Sequence, residues 1–358
     1  MSALSLLRER LVTEDSAVLI TSELHARYLT GLSFSDGAVL VLPQDAYLLT
    51  DFRYAEVAER EVDQKLFQIR VPKGAMKDEI ASLLRKGGIG RLFVEEGAMS
   101  LSSFEAYRSA LVGVELLQGA TKELSACRER KTAEEIKKMT EAQKLTDEAF
   151  SHILTVLSPE MTEIEVALEL EWHMRRGGAE GIAFDTIAVS GSASSLPHGV
   201  PRNKPLERGF LTLDFGARVD GYCADMTRTV SIGRADEEMK KVYKTVLRAQ
   251  QCAIEHVAEG ASCYEIDRIA RKIIEEAGYG DYFGHSLGHG VGVEVHEAPR
   301  LSPSASPESR LERGHVVTVE PGIYLPERFG CRIEDMVAIL KDGSIYNFTK
   351  SPKELIEL

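Results

Sequence analysis

The four residues Leu206-Glu-Arg-Gly209 recur as Leu311-Glu-Arg-Gly314, 105 positions later, and the pattern downstream of each copy recurs too. The first leads into the β-type run F-L-T-L and then Asp214, the second into H-V-V-T-V and then Glu320, and each acid is followed by x-Gly. Each acid has another downstream, Asp225 after Asp214 and Glu334 after Glu320. A chain that writes strand, acid, turn and acid twice predicts two like halves related by a pseudo-twofold. Residues 214 and 225 are symmetric about Val219-Asp220, beside Gly221, so a hairpin turning there sets the two aspartates opposite each other. Residues 320 and 334 are symmetric about Glu327, within P-E-R-F-G, and a hairpin with a longer loop does the same for the glutamates.

Four carboxylates brought together at neutral pH repel one another or raise one another's pKa unless cations compensate them. The stretch from His285 to Glu297, H-S-L-G-H-G-V-G-V-E-V-H-E, adds three of the nine histidines within twelve residues, among glycines that let backbone approach a ligand. Oxygen-rich ligation with one nitrogen and no thiolate suits Mn, Co or Zn, and four carboxylates suffice to bridge two divalent ions. Two ions sharing a bridging water bring its pKa toward neutrality, so hydroxide can attack a peptide carbonyl with no serine or cysteine nucleophile. The plain alternative, aspartates ending a hairpin and Glu320 capping a turn before Pro321, explains any one acid but not the duplicated set.

The segments L-P-H-G (196 to 199), L-D-F-G (213 to 216), A-D-M-T-R-T (224 to 229), the histidine stretch, V-E-P-G (319 to 322) and C-R-I-E-D (331 to 335) resemble the dinuclear metallopeptidases of the pita-bread fold. That group includes methionine aminopeptidase, aminopeptidase P and prolidase, and the resemblance is to its proline-specific branch. It implies that Asp214, Asp225, His289, Glu320 and Glu334 are the ligands of two divalent metal ions. His198 and His296 are then the substrate-facing histidines, which hydrogen-bond the carbonyl and the developing oxyanion. Glu320 doubles as the catalytic proton carrier from water to the leaving amine. Arg332, two residues before Glu334, orients carboxylates. Arg300, in H-E-A-P-R, resembles an arginine of some prolidases, and its fork suits the free carboxylate of a dipeptide.

The implied activity is hydrolysis of the bond preceding proline in Xaa-Pro dipeptides, with an Xaa-Pro aminopeptidase acting on longer peptides as the alternative. A creatinase-like amidinohydrolase should lack the five ligands, and all five are present. A non-catalytic peptide-binding relative should show broken ligands or long charged tails, and the chain has neither. Cys223, on the predicted face of Asp225, reads as a small buried hydrophobe, and Cys331 alternates away from Glu334.

With 358 residues the chain predicts two domains. Its 43 basic against 56 acidic residues leave a net charge of −13, which argues against nucleic acid and anionic membrane as partners and leaves a small peptide with proline second. The opening M-S-A-L-S-L-L-R-E-R has charges where a signal peptide needs its apolar core, and no run reaches the length of a membrane span. Five scattered cysteines form no disulfide framework, so a cytoplasmic protein is expected.

Residues 1–127 predict an α/β domain, with strands over 17–21, 38–42 and 91–94 and helices over 51–61 and 77–85. Within it Arg27-Tyr-Leu-Thr-Gly31 resembles a signature of the creatinase-type amino-terminal domain, which implies a homodimer. The boundary is expected near the charged segment Cys127 to Thr132, C-R-E-R-K-T, which has no sustained apolar pattern. Residues 128–358 predict an α+β pita-bread domain. Capping spacings at Thr132/Glu135, Thr162/Glu165 and Ser262/Glu265 each open a helix, and another runs from Asp236 to Val257.

Overall fold

Ala17-Val-Leu-Ile20 and Ala38-Val-Leu-Val41 are wholly buried runs, apolar on both faces, and such runs become central strands. In the computed structural model, which describes residues 3 to 358, they pair antiparallel within a six-stranded sheet. The chain divides between Arg128 and Glu129 into two units. The first runs α1 (Ala3–Leu11), β1 (Ser16–Ile20), α2 (Glu23–Thr30), β2 (Ala38–Val41), β3 (Ala46–Leu49), α3 (Phe52–Glu61), β4 (Gln68–Arg70), α4 (Met76–Lys86), β5 (Arg91–Val94), α5 (Leu101–Ala110), β6 (Glu115–Leu117) and α6 (Ala120–Glu129). Its strand order is β4-β3-β2-β1-β5-β6. The division falls inside the charged segment Cys127 to Thr132, part of which is helical. Residues 127 to 129 finish α6, with Cys127 and Arg128 buried, because the charged side chains hide a short amphipathic turn.

The second unit begins with α7 (Ala133–Val156) and α8 (Glu163–Arg176), both opened by complete capping boxes at Thr132/Glu135 and Thr162/Glu165. Then come β7 (Gly181–Ile182), β8 (Ile187–Ser190), β9 (Gly209–Phe215), β10 (Ala217–Val219), β11 (Tyr222–Cys223) and β12 (Met226–Ile232). The next helix pair is α9 (Glu237–Glu255) and α10 (Cys263–Glu276), capped by Asp236 and Ser262. The chain ends with β13 (Gly288–Gly290), β14 (Glu297–Leu301), β15 (Val316–Val319), β16 (Gly322–Leu325), β17 (Phe329–Arg332), β18 (Asp335–Ile339) and β19 (Ile345–Asn347).

Each half therefore packs a helix pair against an antiparallel sheet, β12-β9-β8 in the first and β14-β13-β15-β18-β19 in the second. Phe150, Val166, Leu170, Leu211, Leu213 and Val230 form the core of the first, and Val242, Val246, Ile266, Ile274, Val317 and Val337 that of the second. The recurring Leu-Glu-Arg-Gly closes both loops that enter these sheets, with Gly209 at φ +115° and Gly314 at φ +91°, a left-handed bend that a side chain resists. Among the described residues no helix is long and apolar enough to cross a membrane.

The two hairpins differ in register. In the second, Gly322 pairs with Arg332 and Leu325 with Phe329, symmetric about Glu327, and Val319 pairs with Asp335 in the same register, so Glu320 and Glu334 leave the two ladders side by side. In the first, the expected opposition of Asp214 and Asp225 is not found: Thr227 lies across from Asp214. The turn residues are Asp220 (φ +48°) and Gly221 (φ +84°), one position later than the symmetry of the acids suggests, and this moves the pairing by two residues. Asp214 thus lies within β9 while Asp225 stands in the break between β11 and β12.

Candidate metal centre

His289 reaches the centre of the second unit on β13, a strand squeezed between two neighbours. A Cβ on Gly288 would stand 2.0 Å from the Thr318 carbonyl oxygen and one on Gly290 2.1 Å from that of Ala298, so only glycine fits on either side of the histidine. The ring's Nδ1 lies 3.1 Å from the Gly290 carbonyl oxygen and donates its proton there. Nε2 is left to face Glu320 Oε1 at 3.2 Å and Asp225 Oδ2 at 3.7 Å. Two ligand atoms on one tetrahedral ion with bonds near 2.1 Å stand roughly 3.4 Å apart, a distance that these two spacings bracket.

Asp225, His289 and Glu334 are all buried, and each offers a ligand atom within 4.8 Å of the others. Glu334 Oε2 accepts from Thr227 Oγ1 (2.7 Å), while Oε1 is buried with no hydrogen-bond partner. Asp214 is likewise half satisfied: Oδ2 accepts from Arg332 Nη2 (2.6 Å), while Oδ1 is buried and bare. Buried polar atoms are rarely left so, and two bare carboxylate oxygens beside an imidazole lone pair are the donor set of a divalent cation. Burial pushes Asp214, Asp225 and Glu334 above the usual carboxylate range, and mutual repulsion with neighbouring carboxylates adds to the rise. Burial also acts to raise Glu320, but contact with His289 and the positive field of Arg332 outweigh it and hold this carboxyl low. The five residues therefore fit bound divalent metal.

Arg332 donates from Nε to Thr227 Oγ1 (3.0 Å), from Nη1 to Tyr324 Oη (2.6 Å) and to the Pro197 carbonyl oxygen (3.2 Å), besides its bond to Asp214. The carboxylate it orients directly is Asp214, across the pseudo-twofold, and Glu334 only through Thr227. Tyr324 Oη passes its proton toward His285 Nε2 (3.0 Å), whose Nδ1 donates to the Ser286 carbonyl oxygen (2.8 Å). Burial pushes the Tyr324 phenol up to about 12 and His285 down, so both are neutral near pH 7. Arg228, also buried, donates to the Glu334 carbonyl oxygen (2.6 Å) and to Asp335 Oδ1 (2.9 Å), clamping the junction that carries Glu334. Tyr324, Thr227 and Arg228 do not stand out in the sequence by residue type, and His285, one of the three clustered histidines, has no role assigned to it there. Tyr324 leaves one signal there, since in a hairpin centred on Glu327 it falls on the face of Arg332.

Asp214, Asp225, His289, Glu320 and Glu334, with Arg332 and His285, line a cavity of about 520 Å³ whose wall also carries His198, His296 and Arg300. His198, His296 and Arg300 are solvent-exposed. The His296 ring lies 4.3 Å from that of His289, and partial burial together with His289 lowers its pKa. Arg300 is the direct strand partner of His289 on β14. Phe184, Pro197, Val200, Pro201 and Val295 give the same cavity an apolar side. Cys223 is buried with Sγ 3.7 Å from the Val293 carbonyl oxygen, and Cys331 is buried in the second core, so neither faces the cavity.

Residues 137–341 match metallopeptidase family M24, and residues 4–130 match the creatinase/prolidase N-terminal domain. An Xaa-Pro dipeptidase of Pyrococcus furiosus is 38% identical over 342 residues, 95% of this chain and 94% of that protein. The structure of an Xaa-Pro dipeptidase from Bacillus anthracis superposes with a TM-score of 0.94 at 40% identity, covering 99% of both chains. That of an X-Pro aminopeptidase from Thermotoga maritima superposes at 0.91 and 38% identity, covering 98% of this chain and 99% of the other.

Proposed function

The chain belongs to metallopeptidase family M24, and from that premise we propose that it hydrolyses the peptide bond preceding proline in Xaa-Pro dipeptides. The observation that carries the reading is the end-to-end likeness, at 38% and 40% identity, to two proteins named Xaa-Pro dipeptidase. In this reading residues 1–127 are the creatinase-type domain and residues 128–358 the catalytic domain. Asp214, Asp225, His289, Glu320 and Glu334 hold two divalent ions drawn from Mn, Co or Zn. Bound divalent ions supply Lewis acidity to a substrate carbonyl and to water.

The protein's own side chains do the rest. Glu320, held ionised beside His289 and open on one side to the cavity, takes the proton of the attacking water and delivers it to the proline nitrogen as the bond breaks. His198 and His296 donate hydrogen bonds to the oxygen on which negative charge develops. Arg332 keeps Asp214 oriented, and its chain through Tyr324 fixes His285 at the cavity wall. Arg300 holds the dipeptide carboxylate in a two-pronged hydrogen bond. Five free cysteines suit a reducing cytoplasm, and the creatinase-type domain goes with a homodimer, which light scattering in solution would test.

The second reading is an aminopeptidase acting on longer peptides, favoured by the likeness to the Thermotoga maritima enzyme. The two separate at Arg300, because a longer peptide has an amide where the dipeptide has a carboxylate. Rates on Ala-Pro and Ala-Pro-Ala, for the parent and for Arg300→Ala, are the test. If Arg300 holds the carboxylate, the variant raises KM for Ala-Pro by roughly 10- to 150-fold, the loss of one charge-assisted contact of about 1.5–3 kcal/mol, and leaves Ala-Pro-Ala nearly unchanged. Equal effects on both substrates, or a parent that prefers Ala-Pro-Ala, would decide for the aminopeptidase.

A further inference from the structure

Apart from the five proposed ligands and the histidines, the described wall of the metal cavity carries three charged side chains, Arg332, Arg300 and Asp185. Arg332 is spent on Asp214 and Tyr324. Arg300 and Asp185 are exposed, and among the described residues neither side chain has a hydrogen bond or an ion pair. They belong to opposite halves of the second unit. Arg300 is the strand partner of His289, whereas Asp185 lies in the segment that enters β8, where Ile187 pairs with Asp214.

A slip in register brings Asp185 to the cavity. Ile182 of β7 pairs with Ala217 of β10, but Ile187 of β8 pairs with Asp214 of β9, so residues 183 to 186 lie across from residues 215 and 216 alone. The two surplus residues make a bulge, a device that re-aims side chains beside an active site. Its start is pinned by the Ala183 amide, which donates to the Gly216 carbonyl oxygen at 2.8 Å. Directly opposed residues share one face of a sheet, which sets Ile187 beside the Asp214 carboxylate. Asp185, two residues earlier, lines the same cavity on that side together with Phe184.

An exposed carboxylate is at ease in water, so exposure alone gives Asp185 no task. Its place does. A cavity with one unpaired cation on the His289 side and one unpaired anion on the Asp214 side complements a zwitterion. A free Xaa-Pro dipeptide is such a molecule, with a carboxylate on the proline and an α-ammonium on the residue before it. We propose that Asp185 binds the free α-ammonium of the substrate and so makes an unblocked amino terminus a condition of binding. The assignment rests on the reading of this cavity as a site for Xaa-Pro peptides. An α-amino group with a pKa of about 8 is charged at neutral pH, and its bond to a carboxylate is charge-assisted. The ammonium stands one residue before the scissile bond in a dipeptide and in a longer peptide alike. Asp185 therefore serves both, whereas Arg300 serves the dipeptide alone.

The test compares Asp185→Asn with the parent on Ala-Pro and Ala-Pro-Ala, with bound metal per chain measured beside the rates. A third ligand, propionyl-proline, keeps the carboxylate and carries hydrogen in place of the ammonium, and its Ki is read from competition with the substrate. Asp185→Asn is expected to lower kcat/KM by about 5- to 50-fold on every substrate that the parent cleaves, a loss moderated by the open, hydrated side of the cavity. The Ki of propionyl-proline and the metal content should stay within about two-fold of the parent. A Ki that rises in step with the loss of kcat/KM, or metal lost in step with it, would show that Asp185 shapes the site without touching the ammonium, and overturns the assignment. Unchanged kcat/KM in Asp185→Asn overturns it too, and leaves the peptidase reading in place. A parent that cleaves neither Ala-Pro nor Ala-Pro-Ala overturns both.

Discussion

His289 presents Nε2 to the acids because Nδ1 is spent on the Gly290 carbonyl oxygen, and Asp214 keeps one oxygen bare because Arg332 takes only the other. Ligation set by such partners is sensitive to single atoms. His289→Ala and Asp214→Asn are accordingly expected to lose bound metal and activity together, by about 100-fold or more, while keeping the circular dichroism of the parent. Metal analysis beside Ala-Pro turnover checks this, and a metal-free yet fully active Asp214→Asn would rule out the five-residue site. Residues of this kind are legible in the sequence because their types are costly: a pair of acids that follows each copy of Leu-Glu-Arg-Gly, with a histidine stretch between the pairs, has no bland reason to occur. Thr227 and Tyr324 carry no such cost. A threonine and a tyrosine suit any buried strand, and only the register of two hairpins reveals that they bridge Arg332 to Glu334 and His285.

At the scale of elements, legibility depends on whether a turn's own chemistry agrees with the spacing of the acids. The loop at Glu327 turns where the symmetry of 320 and 334 puts it, so that register is readable. The left-handed pair Asp220-Gly221 turns one position late, and turn chemistry overrides the symmetry of 214 and 225. The first unit hides a different device. Glu95, buried at the end of β5, accepts from the Thr21 and Ser22 amides (3.1 and 3.0 Å) and from His25 Nδ1 (2.5 Å), and so ties β5 to the start of α2. Burial acts to raise Glu95, but the donors from His25 and Ser22 outweigh it and hold the carboxyl below its usual range. A depressed folded-state pKa gives stability that is present above the unfolded value near 4.3 and is lost as pH falls through the folded value. Hydrogen exchange in α2 and β5 should therefore speed up between about pH 5 and pH 3 in the parent, beyond the intrinsic effect of pH. Glu95→Gln should remove that dependence and weaken these elements by about 1–3 kcal/mol at pH 7. An unchanged pH profile in Glu95→Gln would show that the carboxylate contributes nothing to holding α2.

For the whole molecule, the centre exists only where the two halves of the second unit meet, Asp214 and Asp225 coming from one and His289, Glu320 and Glu334 from the other. The seam is held by β12, since Thr227 and Thr229 donate to Glu334 Oε2 (2.7 Å) and to the Arg332 carbonyl oxygen (2.9 Å). Closing it drives carboxylates together out of water, so assembly and metal binding are linked. The sign comes from Asp214, Asp225 and Glu334, whose folded-state pKa values burial raises. Acids shifted upward contribute stability that is fully present below their unfolded values of about 3.9 to 4.3 and is lost as pH rises through the folded ones. Chelated protein should therefore melt at a lower temperature at pH 8 than at pH 5.5. A divalent ion at a hundred times its Kd should return about 2.7 kcal/mol at pH 8, which for a unit of this size is roughly 5–10 °C. Glu334→Gln removes one of the repelling charges, so its chelated form should show a flatter pH dependence and a smaller response to the ion. Thermal melts at the two pH values, with chelator or with Mn, Co or Zn, measure all of this. Chelated parent protein that melts no lower at pH 8 than at pH 5.5, and is indifferent to added ions, would mean that the buried acids are neutral partners of one another and not a metal centre.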